Sequence, residues 1–195
     1  ISTKAPKEFQ LMNWGLIPWW VKSLPDGLKL RTQTLNCISE EMFDKPSFRD
    51  AANDGQRCLI PCSGFFEWRW MDEKGKTKIP YYITLQNQPV FSIAGLFSTW
   101  KDRQTDVEYR TYTVLTTKAN PYMEMIHNSK KRMPVILPRE YEKDWLNPNL
   151  NKEDVLALCQ PSEQSGIQGY TISKLITSKK EETDVPKVLA PEVYA

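Results

Sequence analysis

A series of short strand-like segments separated by turn signals constrains the fold of this chain most. Each segment is apolar or alternates apolar with polar residues over four to eight positions, which is typical of β-strands. They comprise residues 57–60, 64–70, 81–85, 90–97 and 109–116. Gly75 at the centre of the polar stretch 72–78 predicts a hairpin turn. With short helices expected at a few corners, the pattern predicts an α+β single domain: a mostly antiparallel, barrel-like sheet with short peripheral helices.

The two ends of the chain carry weaker signals. Residues 9–17 predict a further strand, whereas Pro25-Asp26-Gly27 makes residues 24–31 resemble a loop. Residues 178–195 are rich in charge and proline and are expected to form an extended tail. Nothing indicates a second domain, so residues 1–195 are predicted to form one.

Composition excludes several classes of protein. No apolar stretch approaches the ~20 residues that span a bilayer, and no signal peptide is visible, so a cytoplasmic protein is expected. The net charge is only +2, and any affinity for nucleic acid must therefore come from a local patch. The cysteines are scattered at positions 37, 58, 62 and 159, and there is one histidine. This pattern favours reduced thiols and predicts neither a metal site nor a cofactor.

The single histidine, His127, follows a predicted helix. Asn120 can cap that helix and Pro121 suits its first position, while a buried strand is expected over residues 133–137. Between them lies a basic cluster of Lys130, Lys131 and Arg132. An imidazole beside three cations suggests a site that faces an anion. The alternative is a polar helix end with solvated charges, where a cation suits the helix dipole.

Glu67 lies in the middle of the strand predicted over residues 64–70. A period of two places Phe66, Trp68 and Trp70 on one face and Phe65, Glu67 and Arg69 on the other. A carboxyl among aromatic residues has a raised pKa and suits general acid–base work near neutrality. The alternative is an ion pair with Arg69 or another cation on a half-exposed face.

An asparagine and a tryptophan are further candidates for contact with a nucleic-acid substrate. Asn36 can hold a reacting carbonyl or hydroxyl, although Asn36 or Ser39 can equally cap the short helix expected after it. Trp20 is either a core residue or a platform on which unpaired bases stack. The basic residues that can contact phosphate near such sites are Lys22, Lys29, Arg31, Lys130, Lys131 and Arg132.

These segments together resemble the SOS-response-associated peptidase (SRAP) family of abasic-site processing proteins. The resemblance rests on five ordered motifs, at residues 14–20, 36–40, 57–68, 94–97 and 126–137. It implies binding of single-stranded DNA that carries an abasic site. It also implies DNA–protein cross-linking, in which an N-terminal cysteine and the ring-opened sugar close a thiazolidine, with lyase and self-processing peptidase activity. The expected protein is a monomer that associates with the nucleoid when bound to DNA.

The resemblance also assigns roles to six residues. It implies that Asn36, Glu67 and His127 surround the N-terminal cysteine as catalytic residues. It implies that Trp20, Ser39 and Arg132 lie along the DNA path, as stacking face, polar contact and phosphate contact.

Three departures from the family pattern accompany the resemblance. The chain begins at Ile1, so we expect the segment with the catalytic cysteine to be missing from it. The usual Asn-Ala-Arg reads Asn36-Cys37-Ile38, and residues 128–131 widen the spacing after His127. Two alternatives stay open: a non-catalytic module that binds single-stranded nucleic acid, and a thiol peptidase.

Overall fold

The computed structural model describes residues 1–161 and 166–194. These residues group into two compact units. Within the described residues, the first unit comprises 1–61, 92–117 and 134–161, and the second comprises 62–91, 118–133 and 166–194.

The strands and helices are short, except for two strands of 11 residues each, Phe91–Lys101 and Glu108–Lys118. The strands are β1 Asn13–Trp14, β2 Asn36–Ile38, β3 Arg57–Cys62, β4 Phe65–Trp70, β5 Lys78–Leu85, β6 Phe91–Lys101, β7 Glu108–Lys118, β8 Arg132–Pro134, β9 Ile136–Leu137 and β10 Ile167–Thr171. The helices are α1 Leu24–Arg31, α2 Arg49–Asn53, α3 Pro121–Ile126, α4 Glu142–Trp145 and α5 Lys152–Leu158. Single 3₁₀ turns occupy Ser39–Glu41, Arg139–Tyr141, Lys174–Thr177 and Pro186–Leu189.

The first unit is built on the long antiparallel pair of β6 and β7. Strand order is β1-β7-β6-β3, with β2 also on β7 and β9 on β6. Strands β1 and β2 run parallel to β7, and β9 runs antiparallel to β6. Leu16, Leu96, Leu115 and Trp145 are fully buried in its core. The alternating burial along β7 shows why a period-two pattern predicts this strand well.

One buried cation stabilises this unit. The Arg57 side chain is 1% exposed, and its Nε donates to the Trp145 carbonyl at 2.9 Å. Its guanidinium also donates to the Asn147 carbonyl and lies 5.7 Å from the Trp145 ring centroid. Burial lowers the pKa of this guanidinium. Arg57 therefore ties β3 to the end of α4.

The second unit holds a three-stranded antiparallel sheet in the order β10-β5-β4. The hairpin between β4 and β5 pairs Glu67 with Tyr81 and Trp70 with Lys78. As predicted, a turn closes this hairpin. Gly75 adopts a φ of +61°, and Asp72 accepts three backbone N–H groups from residues 74–77.

The fold class predicted from the sequence is confirmed: the chain is α+β, with mostly antiparallel sheets and short helices. The barrel-like part of the prediction is not, because neither sheet closes on itself within the described residues. Residues 9–17 contain only the two-residue strand β1 rather than the long strand expected. The prediction of one domain over residues 1–195 stays a prediction.

Residues 24–31 form helix α1 instead of the predicted loop. The Ser23 hydroxyl accepts the Asp26 N–H at 3.3 Å, and proline occupies the first turn. Gly27 is buried, and a Cβ there would lie 3.2 Å from Ile17 Cδ1. The Pro-Asp-Gly sequence is therefore a capped helix start whose glycine allows close packing.

The tail predicted as extended over residues 178–195 is extended only in part. It contains the 3₁₀ turn Pro186–Leu189, and the Glu192 N–H donates to the Thr171 carbonyl at 2.9 Å. The tail thus runs back along β10; Ala195 lies outside the described residues. None of the helices in residues 1–161 and 166–194 combines the length and apolarity needed to cross a bilayer.

Candidate active site

Strand β4 positions Glu67 in the second unit. The strand spans Phe65–Trp70, and its register with β5 places Glu67 opposite Tyr81. The predicted alternation is confirmed: Phe66, Trp68 and Trp70 share one face, and Glu67 lies on the other. Glu67 is therefore directed away from the face that carries the tryptophans.

The carboxyl of Glu67 is mostly buried but has polar partners. Its side chain is 18% exposed, and Oε1 accepts the Trp68 backbone N–H at 2.9 Å. Burial raises the pKa of this carboxyl, while the Trp68 hydrogen bond and the His127 charge act in the opposite direction. The raised pKa agrees with the expectation from sequence. The ionisable group in contact with Glu67 is His127, whereas Arg69 is exposed.

Helix α3 positions His127. The Asn120 side chain caps the helix by accepting the Met123 N–H at 2.9 Å, and Pro121 occupies the first turn. The His127 N–H then donates to the Met123 carbonyl at 2.7 Å and ends the helix. The sequence prediction of this helix, its cap and its end is confirmed.

The imidazole of His127 contacts two acceptors through one nitrogen. Nδ1 lies 2.8 Å from the Arg132 carbonyl oxygen and 3.3 Å from Glu67 Oε2. Because a carbonyl oxygen only accepts, the hydrogen belongs on Nδ1. Neutral His127 then keeps its lone pair on Nε2, which is the nitrogen left to exchange a proton with another group. A carboxyl with a raised pKa and an imidazole in contact form a couple suited to general acid–base chemistry.

Asn36 lies in the first unit, so its convergence with Glu67 and His127 stays a prediction. It is the first residue of β2, is exposed, and is paired in register with Val114 of β7. The capping alternative is wrong for both Asn36 and Ser39. The 3₁₀ turn Ser39–Glu41 has Ile38 at its N-cap position and no side-chain cap.

The three predicted DNA contacts have different surroundings. Trp20 is 41% exposed, with its indole N–H 3.3 Å from the Pro46 carbonyl, so it is not a core residue. It borders a groove of about 390 Å³ that Lys22 and Lys29 also line. Ser39 is 1% exposed and its hydroxyl donates to Glu40 at 3.1 Å, which does not favour direct contact with DNA. Arg132 is half-buried, and its carbonyl accepts from His127.

The four cysteines are free thiols, and three are poor nucleophiles. Burial raises the pKa of Cys58 and of Cys159 to about 12 and that of Cys62 to about 11. Cys37 is buried. In the described parts of the chain, no group of three or more His, Cys, Asp or Glu residues could hold a metal ion.

Sequence reasoning missed the backbone partners of the couple. The Trp68 N–H and the Arg132 carbonyl fix the Glu67 carboxyl and the His127 ring, and neither leaves a signal in residue type. It also missed a bond from Asn128 to β4, which an amide side chain directly after the histidine could have suggested.

Comparisons with known proteins place this chain in a family. A family model described as "SOS response associated peptidase (SRAP)" matches residues 1–179. The "Abasic site processing protein YoqW" of Bacillus subtilis (strain 168) is 41% identical over 170 residues, which cover 87% of this chain and 71% of that protein. The "Abasic site processing protein HMCES" of Gallus gallus is 30% identical over 200 residues, covering 92% of this chain and 56% of that protein.

A solved structure shares the fold. A crystal structure of a protein from Bacteroides thetaiotaomicron superposes with a TM-score of 0.86 at 38% identity, covering 94% of this chain and 77% of that one. The family model spans most of the sequence, and YoqW is well above 30% identity across most of the chain. The resemblance predicted from the five motifs is therefore confirmed, and this chain belongs to the SOS response associated peptidase (SRAP) family.

Proposed function

We propose that this protein processes abasic sites in single-stranded DNA by forming a covalent thiazolidine with the opened sugar. The observation that carries the proposal is the Glu67–His127 couple, with Oε2 and Nδ1 3.3 Å apart. Family membership and the names of its relatives, which are abasic site processing proteins, supply the substrate class.

The proposed chemistry begins with an N-terminal cysteine, which is not among residues 1–195. Its α-amine attacks the C1′ aldehyde of the ring-opened sugar, and the carbinolamine loses one water to give an imine. The thiol then adds to the carbon of the protonated imine and gives up its proton, which leaves a neutral ring nitrogen. The product is the sum of protein and DNA less one water.

Glu67 performs the proton transfers of this sequence. A carbinolamine loses water only when its hydroxyl is protonated, and a carboxyl with a raised pKa can donate that proton near neutrality. The resulting carboxylate can then take the proton that the thiol releases. The same two states of one group therefore serve both steps.

His127 assists the opening of the sugar, because the closed hemiacetal does not react with an amine. With hydrogen on Nδ1, the lone pair of Nε2 accepts the proton of the C1′ hydroxyl as the C1′–O4′ bond breaks. The imidazolium then returns a proton to O4′, which leaves as the C4′ hydroxyl. Asn36 orients the nucleophile or hydrogen-bonds the opened sugar. The test of these roles is the rate of adduct formation in each variant.

DNA binding in this proposal uses the remaining predicted residues. Trp20 stacks on an unpaired base and Arg132 contacts a phosphate. A polar contact from Ser39 requires its buried hydroxyl to leave Glu40 when DNA binds. Because the net charge is only +2, phosphate contacts come from local clusters, and affinity falls as salt rises.

Peptidase activity in this proposal is limited to removing the residue that precedes the N-terminal cysteine. An internal cysteine is a weak candidate for a thiol peptidase, because burial raises the pKa of Cys58, Cys62 and Cys159. The discriminating measurement is cleavage of unrelated peptides, which this proposal does not expect.

The deciding experiment mixes protein expressed from its complete gene with an abasic single strand. The proposal expects a protein–DNA band that survives denaturing electrophoresis without any reductant. Residues 1–195 alone are the matched control: their Ile1 amine can form an imine but has no thiol to close a ring. The proposal fails if the complete protein gives no band, or if the control gives the same stable band.

A further inference from the structure

Side chains bond to backbone groups of Trp68 and Trp70 at the outer edge of β4. Strand β4 ends the order β10-β5-β4, so one edge faces away from β5. Trp68 and Trp70, two positions apart, direct their backbone groups to the same edge. Glu67 Oε1 accepts the Trp68 N–H at 2.9 Å.

The Asn128 side chain bonds to both the backbone N–H and the backbone carbonyl of Trp70. Its Oδ1 accepts the Trp70 N–H at 3.0 Å, and its Nδ2 donates to the Trp70 carbonyl at 2.8 Å. One side-chain amide thus makes the paired bonds of a neighbouring strand. A carboxylate in its place could accept but not donate, and a glutamine would be one methylene too long for the same geometry.

Asn128 directly follows His127, so this bond connects the end of α3 to the strand that carries Glu67. On the helix side, His127 is fixed by its N–H bond to the Met123 carbonyl at 2.7 Å. On the turn side, its carbonyl accepts the Lys131 N–H at 2.9 Å. The connection to β4 joins the residue after His127 to the strand that carries Glu67, whose Oε2 lies 3.3 Å from the imidazole Nδ1.

We propose that Asn128 is a positioning residue that holds His127 against Glu67 by bridging the backbone of Trp70. The proposal deepens the function above, and its catalytic part rests on that function. It also gives a role to the start of the widened segment 128–131. The Asn128 side chain bonds to the Trp70 backbone, and it acts on the imidazole through the peptide that joins Asn128 to His127.

The test compares Asn128→Ala with Ser129→Ala, which alters the next exposed residue of the same turn. The first readout is the ¹⁵N chemical shifts of the imidazole, assigned without ambiguity because the chain has one histidine. The second is the rate of adduct formation with abasic DNA by the complete protein. A misplaced catalytic group can cost up to about 100-fold, and we expect a fall of roughly tenfold in Asn128→Ala for a partial displacement.

The proposal requires both readouts to change in Asn128→Ala and neither in Ser129→Ala. It is overturned if the imidazole shifts stay at their wild-type values, or if they move while the rate does not. Should Asn128→Ala fail to fold, Asn128→Asp carries the same test, because it keeps the acceptor for the Trp70 N–H and loses the donor. If the wild-type protein forms no adduct, the proposed function fails, yet the shifts still decide whether Asn128 places the imidazole.

Discussion

Replacing Glu67 by glutamine separates the chemistry of this residue from its structural role. Glutamine keeps the length of the side chain, and its amide oxygen can accept the Trp68 N–H as Oε1 does at 2.9 Å. Its NH₂ group would face His127 Nδ1, which already carries a hydrogen, so the 3.3 Å contact is lost. The exchange removes the titrating proton and leaves the fold of β4 intact.

The expected loss of rate follows from the role of the carboxyl as a general acid and base. A positioned general acid–base group contributes about 10²–10⁴-fold, so adduct formation should slow by at least about 100-fold, or about 2.7 kcal/mol in the barrier. Single-turnover kinetics with an abasic strand, followed by denaturing electrophoresis, measure this rate. Affinity for the strand should change little, since no DNA contact is removed.

Glu73→Gln is the matched control. Glu73 is an exposed carboxylate in the hairpin turn after β4, so its removal changes the net charge of the protein equally. Wild-type rates are expected in this control. A rate for Glu67→Gln within about threefold of wild type would refute the argument, because that is far below the contribution of a general acid.

The pH dependence of Glu67→Gln and two further variants extend these expectations. Burial raises the folded-state pKa of Glu67 above its ordinary 4.5, so the contribution of this carboxyl to wild-type stability is lost as pH rises from 4.5 through the folded-state pKa. Urea unfolding should show Glu67→Gln gaining stability relative to wild type over that pH range. A difference that does not depend on pH would contradict the raised pKa. Arg57→Ala leaves the buried Trp145 carbonyl and the partly buried Asn147 carbonyl without their donor and should lower the free energy of unfolding by about 3 kcal/mol or more; a loss under about 1 kcal/mol would contradict the buried role. Trp20→Ala should weaken binding of single strands by about 1–3 kcal/mol in fluorescence anisotropy, and unchanged affinity would remove it from the DNA path.

Local elements of the site were predictable from local chemistry. The alternation of aromatic and charged residues in β4 fixes which side of the sheet Glu67 occupies. Asn120 and Pro121 specify the start of α3, and His127 ends it. Such patterns involve neighbours in sequence, which is why one sequence suffices to find them.

Longer-range features were not predictable in the same way. The contact between Glu67 and His127 depends on how α3 packs on β4, and the backbone partners Trp68 and Arg132 carry no residue-type signal. The Pro-Asp-Gly segment before Leu28 fits both a loop and the first turn of α1. The structure shows the second, because Ser23 caps the helix and Gly27 packs closely on Ile17.

The intact mass of the product formed by the complete protein and an abasic strand tests the central claim most directly. The account predicts a species equal to protein plus DNA less one water, with the linkage mapped by peptide sequencing to an N-terminal cysteine. It also predicts that this species forms far more slowly in Glu67→Gln. A linkage at an internal residue, or the absence of any covalent species, would contradict it.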